Sequence, residues 1–213
     1  MSNFKIKNVQ YFDQECLIEN LRKVSMLKAP EIFPYRDACI SLRRIAVKKL
    51  HPAQRYVLKQ ELFKVRELKW QLADLGKDIF CLNGFLRLTV AFNNNHNDTQ
   101  EIDLLPPLVE EQEERDGTIV RIINDGMHRI YLAYLEWVIP QVIYVTNVPK
   151  DLPYYAYPIP ENDWTKIEIR DDIPKGFIKK WHRIRDNKKL YRNFNSAFKN
   201  VGGPRGTFEA KKA

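Results

Sequence analysis

The chain has 213 residues, 44% hydrophobic and 12% aromatic, enough apolar mass for one buried core and too much for a disordered chain. No apolar run approaches the ~20 residues that a membrane-crossing helix needs, and Met1-Ser2-Asn3-Phe4-Lys5 lacks the apolar centre of a secretory signal, so a cytoplasmic location with no membrane partner is expected. The formal charge of +8 is unevenly placed: residues 175–213 carry 12 Lys+Arg against two acids, whereas residues 101–116 carry seven acids against one Arg. Cys16, Cys39 and Cys81 are odd in number and widely spaced, which fits neither a zinc site nor a disulfide framework. Buried, reduced thiols are expected.

In chain order, residues 10–28 place Phe12, Cys16, Leu17, Leu21, Val24 and Leu27 at helical spacing. Pro30 and Pro34 interrupt the chain, and the β-branched residues of Cys39–Leu50 predict a short strand. Residues 52–75 read as a long helix with Pro52 at its first position, Gly76 at its stop and a leucine stripe through Leu58, Leu62, Leu68, Leu72 and Leu75. Phe85–Phe92 alternates as a strand and 93–98 reads as a polar loop, where His96 has no second ligand at metal-binding spacing. A Pro-containing extended segment, 102–111, leads to a hairpin signal at Asp116-Gly117. Thr118–Ile123 is then a strong strand, Asn124-Asp125-Gly126 breaks it, Met127–Trp137 is helical, and Gln141–Val145 is another strand. Residues 149–160, with four prolines, form an irregular connector, and 173–198 reads as a basic helix.

The junction of strand, Asn124-Asp125-Gly126 and helix carries the chemistry. A glycine permits a sharp turn and close approach of a ligand to backbone. The first amides of a helix lack internal partners and, with the helix dipole, favour an anion. Arg129 can grip phosphate oxygens in a fork, and His128 can donate to phosphate or relay a proton. Asp125 can hold magnesium, orient a hydroxyl nucleophile or cap the helix. Glu110 and Glu111 follow the Pro106-Pro107 strand and are candidate acid–base groups, with Glu31 and Glu61 as further carboxylates.

Leu104-Leu105-Pro106-Pro107-Leu108-Val109-Glu110, the Asp116-Gly117 turn and Ile122-Ile123-Asn124-Asp125-Gly126-Met127-His128-Arg129 together resemble the ParB/sulfiredoxin superfamily. That resemblance implies an α+β fold, a mixed sheet with packed helices. It divides the chain into a helical N-terminal region (1–40), a nucleotide-binding domain (41–160) and a basic helical extension (161–213). It implies that Gly126, Met127, His128 and Arg129 cradle the phosphates of ATP, ADP or CTP. Asp125 would hold Mg2+, and Asp125, His128 and Glu110 would act in catalysis. Sulfiredoxins carry a reactive cysteine directly before the His-Arg pair; Met127 stands there, and a thioether is no thiolate nucleophile. Chromosome-segregation members carry Glu-Arg-Arg and a following helix-turn-helix, neither of which is evident. The D-G-x-H-R form is closer to the kinase-like branch, so a phosphotransferase or NTP hydrolase is the leading expectation. The alternative is a nucleic-acid-binding module of a mobile-element, plasmid or defence system. Its contacts would be Lys179, Lys180, Arg183, Arg185, Lys188 and Lys189 around Trp181, since basic residues meet phosphates while aromatics stack on bases. The same segment also reads as an amphipathic helix with solvated lysines. Homodimerisation is left open.

Overall fold

A computed structural model describes residues 4–92, 95–113, 117–152, 154, 163–173 and 191–202, without the side chains of 95–98. In chain order it has β1 (Phe4–Phe12), α1 (Gln14–Arg22), β2 (Ser25–Met26), β3 (Cys39–Arg44), β4 (Tyr56–Leu58) and α2 (Lys59–Asp74). There follow β5 (Phe85–Phe92), β6 (Asn95–Leu104), β7 (Leu108–Glu113), β8 (Ile119–Asp125), α3 (Met127–Leu135), β9 (Gln141–Thr146), β10 (Glu168–Arg170) and β11 (Arg192–Asn193). The fold is α+β.

Two sheets organise the chain. An antiparallel sheet has the order β1-β5-β6, and a mixed sheet has the order β3-β9-β7-β8. In the mixed sheet β7 runs parallel to β9 and antiparallel to β8, so the strand–hairpin–strand–helix–strand order read from residues 102–145 is what closes it. Strand alternation divides its residues between two cores. Val109, Ile123, Val142 and Tyr144 join the first core with Leu62, Leu68 and Leu72 of α2, Ile130 and Leu132 of α3, and Leu88 and Val90 of β5. Leu108, Ile143 and Val145 join the second with Leu17 and Leu21 of α1, Tyr35, Phe85 and Phe198.

The differences from local expectation arise where a distant partner decides. Phe12 belongs to β1, not to a helix over 10–28, because Phe4–Phe12 pairs with Phe85–Phe92 along its length. Asp13 then caps α1, its Oδ1 accepting the Cys16 N–H at 2.9 Å. The helix expected from Pro52 begins at Lys59, because Tyr56–Leu58 is drawn out as a strand pairing in parallel with Glu168–Arg170. Gly76 does end that region, with φ +67°. Of the polar loop expected over 93–98, residues 95–98 belong to β6 and 93–94 lie outside the described residues. Of the helix expected over 173–198, residues 174–190 lie outside the described residues, and Arg192–Ser196 forms a short strand and a single 3-10 turn. The cysteines are free, but Cys39 and Cys81 are exposed and Cys16 is half-buried, so the expectation of buried thiols does not hold.

Candidate functional site

The register of β7 against β8 skips one residue: Leu108 faces Asp125 and Val109 faces Ile123, leaving Asn124 as a bulge. A bulge re-aims the side chains around it. Asn124 turns to one side of the sheet, where its Nδ2 donates to the Tyr35 hydroxyl at 2.9 Å and to Glu110. Asp125, the last residue of β8, borders a cavity on the other side. Gly126 follows with φ +84°, a left-handed conformation that favours glycine. Space matters as much: a Cβ here would lie 2.8 Å from Pro107 Cβ and 3.0 Å from Arg129 Nη2. Pro107 has no N–H to satisfy, so its ring can close against Gly126 while its carbonyl accepts the Ile143 N–H at 2.8 Å.

The cavity, about 160 Å³, lies where α2, β5, β6, the first turn of α3 and residues 201–202 meet. Asp125, Gly126, Met127, His128 and Arg129 all border it. Leu68, Leu88, Val90 and Ile102 supply an apolar wall, and Glu61, Lys64 and Asp103 further charged groups. Arg129 is buried. Its Nη2 donates to Asp125 Oδ2 at 2.9 Å and its Nη1 to the Leu105 carbonyl. Burial pushes the guanidinium below its ordinary range, and the Asp125 carboxylate opposes that shift. Asp125 is thus the counter-ion of Arg129 and not a helix cap: no side chain caps α3, whose N-cap is Gly126.

His128 faces a different neighbour from the phosphate donor expected of it. Its Nε2 accepts the backbone N–H of Leu58 at 3.1 Å, which makes the ring neutral with its proton on Nδ1. Leu58 is the residue before α2, so the first turn of α3 is tied to the start of the helix that carries Glu61 and Lys64. Those two pair with each other at 2.7 Å, one turn apart on α2 at the cavity wall. Asp103 is buried. Its carboxylate takes Arg87 Nε at 2.7 Å and Nη2 at 2.9 Å, and Lys199 N–H at 2.9 Å.

Glu110 does not reach this cavity. It shares the sheet face of Leu108 and Gln112, and it is fully buried. Arg192 grips it in a fork, Nε to Oε1 at 3.0 Å and Nη2 to Oε2 at 2.8 Å, while the Tyr35 hydroxyl donates to Oε1 at 2.5 Å. Tyr154 joins through a 3.2 Å bond from its hydroxyl to the Asn124 carbonyl. Burial first, and then the Glu110 charge, raise both phenols well above their ordinary range. The carboxylate of Glu110 is thus satisfied by Tyr35, Asn124 and Arg192, apart from the cavity. Glu31 is exposed and does not border the cavity, whereas Glu61 does. Trp164 is core, stacked on Tyr134 with its indole N–H donating to the Leu50 carbonyl at 3.1 Å.

Among the described residues no three His, Cys, Asp or Glu side chains cluster as metal ligands. Lys179, Lys180, Arg183, Arg185, Lys188 and Lys189 lie outside the described residues. Sequence reasoning missed Asp103, Lys64, Arg192 and residues 201–202. The Arg87–Asp103 pair was the readable one, since pairing β5 with β6 sets the two opposite each other. Among described residues no helix is long and apolar enough to cross a membrane.

Residues 16–168, more than two thirds of the chain, match the ParB CE domain family. No curated protein and no solved structure matches the chain. The mixed sheet, the β8–Gly126–α3 turn and all of the cavity wall except Val201 and Gly202 fall inside the matched segment, and the chain belongs to the ParB CE domain family.

Proposed function

We propose that the protein is a ParB-like module of a nucleic-acid-handling system, such as a mobile-element, plasmid or defence system, with a nucleotide site at the start of α3. One observation carries this reading: Asp125 to Arg129 all border one cavity whose remaining wall is largely apolar. A ligand with an anionic head and a flat apolar body suits such a site. The first-turn amides of α3 and the dipole of the helix favour the anionic head. Family membership and the basic run after Lys175 support the nucleic-acid part.

A second reading, phosphoryl transfer or NTP hydrolysis, is favoured by the carboxylates of Asp125 and Glu61 at the same cavity. Magnesium fits this donor set in one way. Asp125 is a quarter exposed and has one carboxylate to offer, so the ion would be held mainly by nucleotide phosphates, as magnesium commonly is. Asp125 already neutralises Arg129, which weakens its hold on a cation.

A thermal-shift series with ATP, ADP, CTP and GTP, with and without magnesium, tests the nucleotide site. A ligand at 100 times its dissociation constant stabilises by about 2.7 kcal/mol. Arg129→Ala should lose the shift and Lys180→Ala should keep it. No shift with any nucleotide would sink the reading. Binding to a random duplex and a random single strand at two salt concentrations tests the nucleic-acid part, which predicts affinity falling steeply with salt. Release of phosphate or its transfer to a hydroxyl acceptor distinguishes the second reading.

A further inference from the structure

The cavity is not closed by the family segment alone. Val201 and Gly202 form part of its wall, and both lie beyond the matched residues 16–168. They end a strap, Tyr191–Gly202, that crosses the second core and reaches β6. Besides the pairing of Arg192–Asn193 with Ser25–Met26 and the bonds of Lys199 and Asn200 to Glu101, the strap has three attachments that bear on the cavity. At its start, Arg192 forks onto Glu110, both side chains wholly out of solvent, and also donates to the Leu152 carbonyl at 2.7 Å. At its middle, Phe198 is buried edge-on against Phe85, ring centroids 5.4 Å apart. At its end, Lys199 and Asp103 exchange two bonds: Asp103 N–H to the Lys199 carbonyl at 2.7 Å, and Lys199 N–H to Asp103 Oδ2 at 2.9 Å. Asp103 itself borders the cavity.

We propose that Arg192 is a positioning residue of the ligand site: by locking the strap onto Glu110 it holds Val201 and Gly202 in place as the wall of the cavity. This rests on the reading of that cavity as the nucleotide site. The geometry explains an otherwise costly feature. A fully buried ion pair contributes little stability compared with apolar side chains of the same shape, but it fixes one register. Here the register matters, because sliding the strap by one residue would move Val201 and Gly202 off their places at the cavity and separate Lys199 from Asp103. Asn124 adds a second link: its amide bonds Glu110 while the next residue, Asp125, faces the ligand space.

The test reads a thiol inside the cavity. With the three native cysteines replaced by serine, Leu104→Cys places a thiol on β6 beside the strap, and Leu132→Cys places a control thiol on α3 away from the cavity. A small maleimide should label Leu104→Cys at least about tenfold faster when Arg192→Leu is added, with Leu132→Cys unchanged. Phe198→Ala, which loosens the strap but keeps the ion pair, should accelerate the same thiol and serves if Arg192→Leu yields no folded protein. Unchanged labelling, or equal acceleration of both thiols, would overturn the proposal, since the second outcome is what a merely structural pair would give. Millimolar ATP and CTP added to the Leu104→Cys protein with its strap intact should slow labelling. If they do not, the nucleotide reading fails while the strap result stands.

Discussion

His128 Nε2 lies 3.1 Å from the backbone nitrogen of Leu58, 70 positions earlier in the chain, and accepts its hydrogen. The bond couples the first turn of α3 to the start of α2. Removing the acceptor leaves a half-buried backbone N–H without this partner, at a cost of about 1–3 kcal/mol. His128→Ala should therefore lower stability in urea denaturation by that amount. His128→Gln, whose side-chain oxygen can accept, should lose less. Equal stability of His128→Ala and the native chain would show that the bond has no structural weight.

Gly126→Ala and Gly76→Ala make a matched pair. Both residues have positive φ, +84° and +67°, so both substitutions cost about 1–2 kcal/mol of backbone strain. At Gly76 nothing stands within 4 Å of the added carbon, whereas at Gly126 it meets Pro107 at 2.8 Å. Gly126→Ala should be the more damaging by a further ~1–3 kcal/mol, the usual cost of overpacking. At the proposed nucleotide site it should also reduce any thermal shift given by a nucleotide, because the turn would shift. Equal melting temperatures for the two variants would mean that Pro107 gives way freely.

The turn was legible in the sequence because its signals are local. Asp125-Gly126 ends a strand and Met127-His128-Arg129 opens a helix, and the flanking apolar runs fix both elements. What surrounds the turn was not legible, because it depends on pairings far apart in sequence. Glu110 reads as a candidate acid–base group until Arg192, 82 residues on, is known to pair with it. Phe12 reads as helical until β5 is known to pair with it. Asp125 could be read as a cap, a metal ligand or a counter-ion. Only the fold of Arg129 back over one helical turn selects the counter-ion as its structural role.

That role changes what Asp125→Asn is expected to do. An asparagine would cap a helix about as well as aspartate. It would not neutralise Arg129, which is buried with the Leu105 carbonyl as its other acceptor. Because Asp125 is a quarter exposed, water can recover part of the loss, and a cost of about 1–3 kcal/mol is expected. Calorimetry of Asp125→Asn and of Asp125→Asn/Arg129→Met separates the two roles. If the counter-ion role dominates, the double variant should regain stability over the single one. A single variant as stable as the native chain would remove the counter-ion argument.

The last prediction concerns alkaline pH. Tyr35 and Tyr154 are buried beside Glu110, and burial first, then the carboxylate charge, raise both phenols well above their ordinary value of 10.0. In the unfolded chain both would lose their protons near pH 10. Between the unfolded value and the raised folded values the native state therefore holds protons that the unfolded state has released. Stability must fall as pH rises through that window, and below the unfolded value the contribution is complete. The same network includes Arg192, for which burial works to lower the guanidinium but Glu110 and Tyr35 outweigh it, so the cation persists throughout. Tyr154→Phe removes one of the two titrating groups, along with its 3.2 Å bond to the Asn124 carbonyl. Unfolding free energies measured from neutral to strongly alkaline pH should fall less steeply for Tyr154→Phe than for the native chain, even where its neutral-pH stability is lower by about 1 kcal/mol. Ultraviolet absorbance of phenolate on unfolding gives an independent count of the protons released. Parallel stability profiles for the two proteins would mean that Tyr154 ionises in the folded state as readily as in the unfolded one.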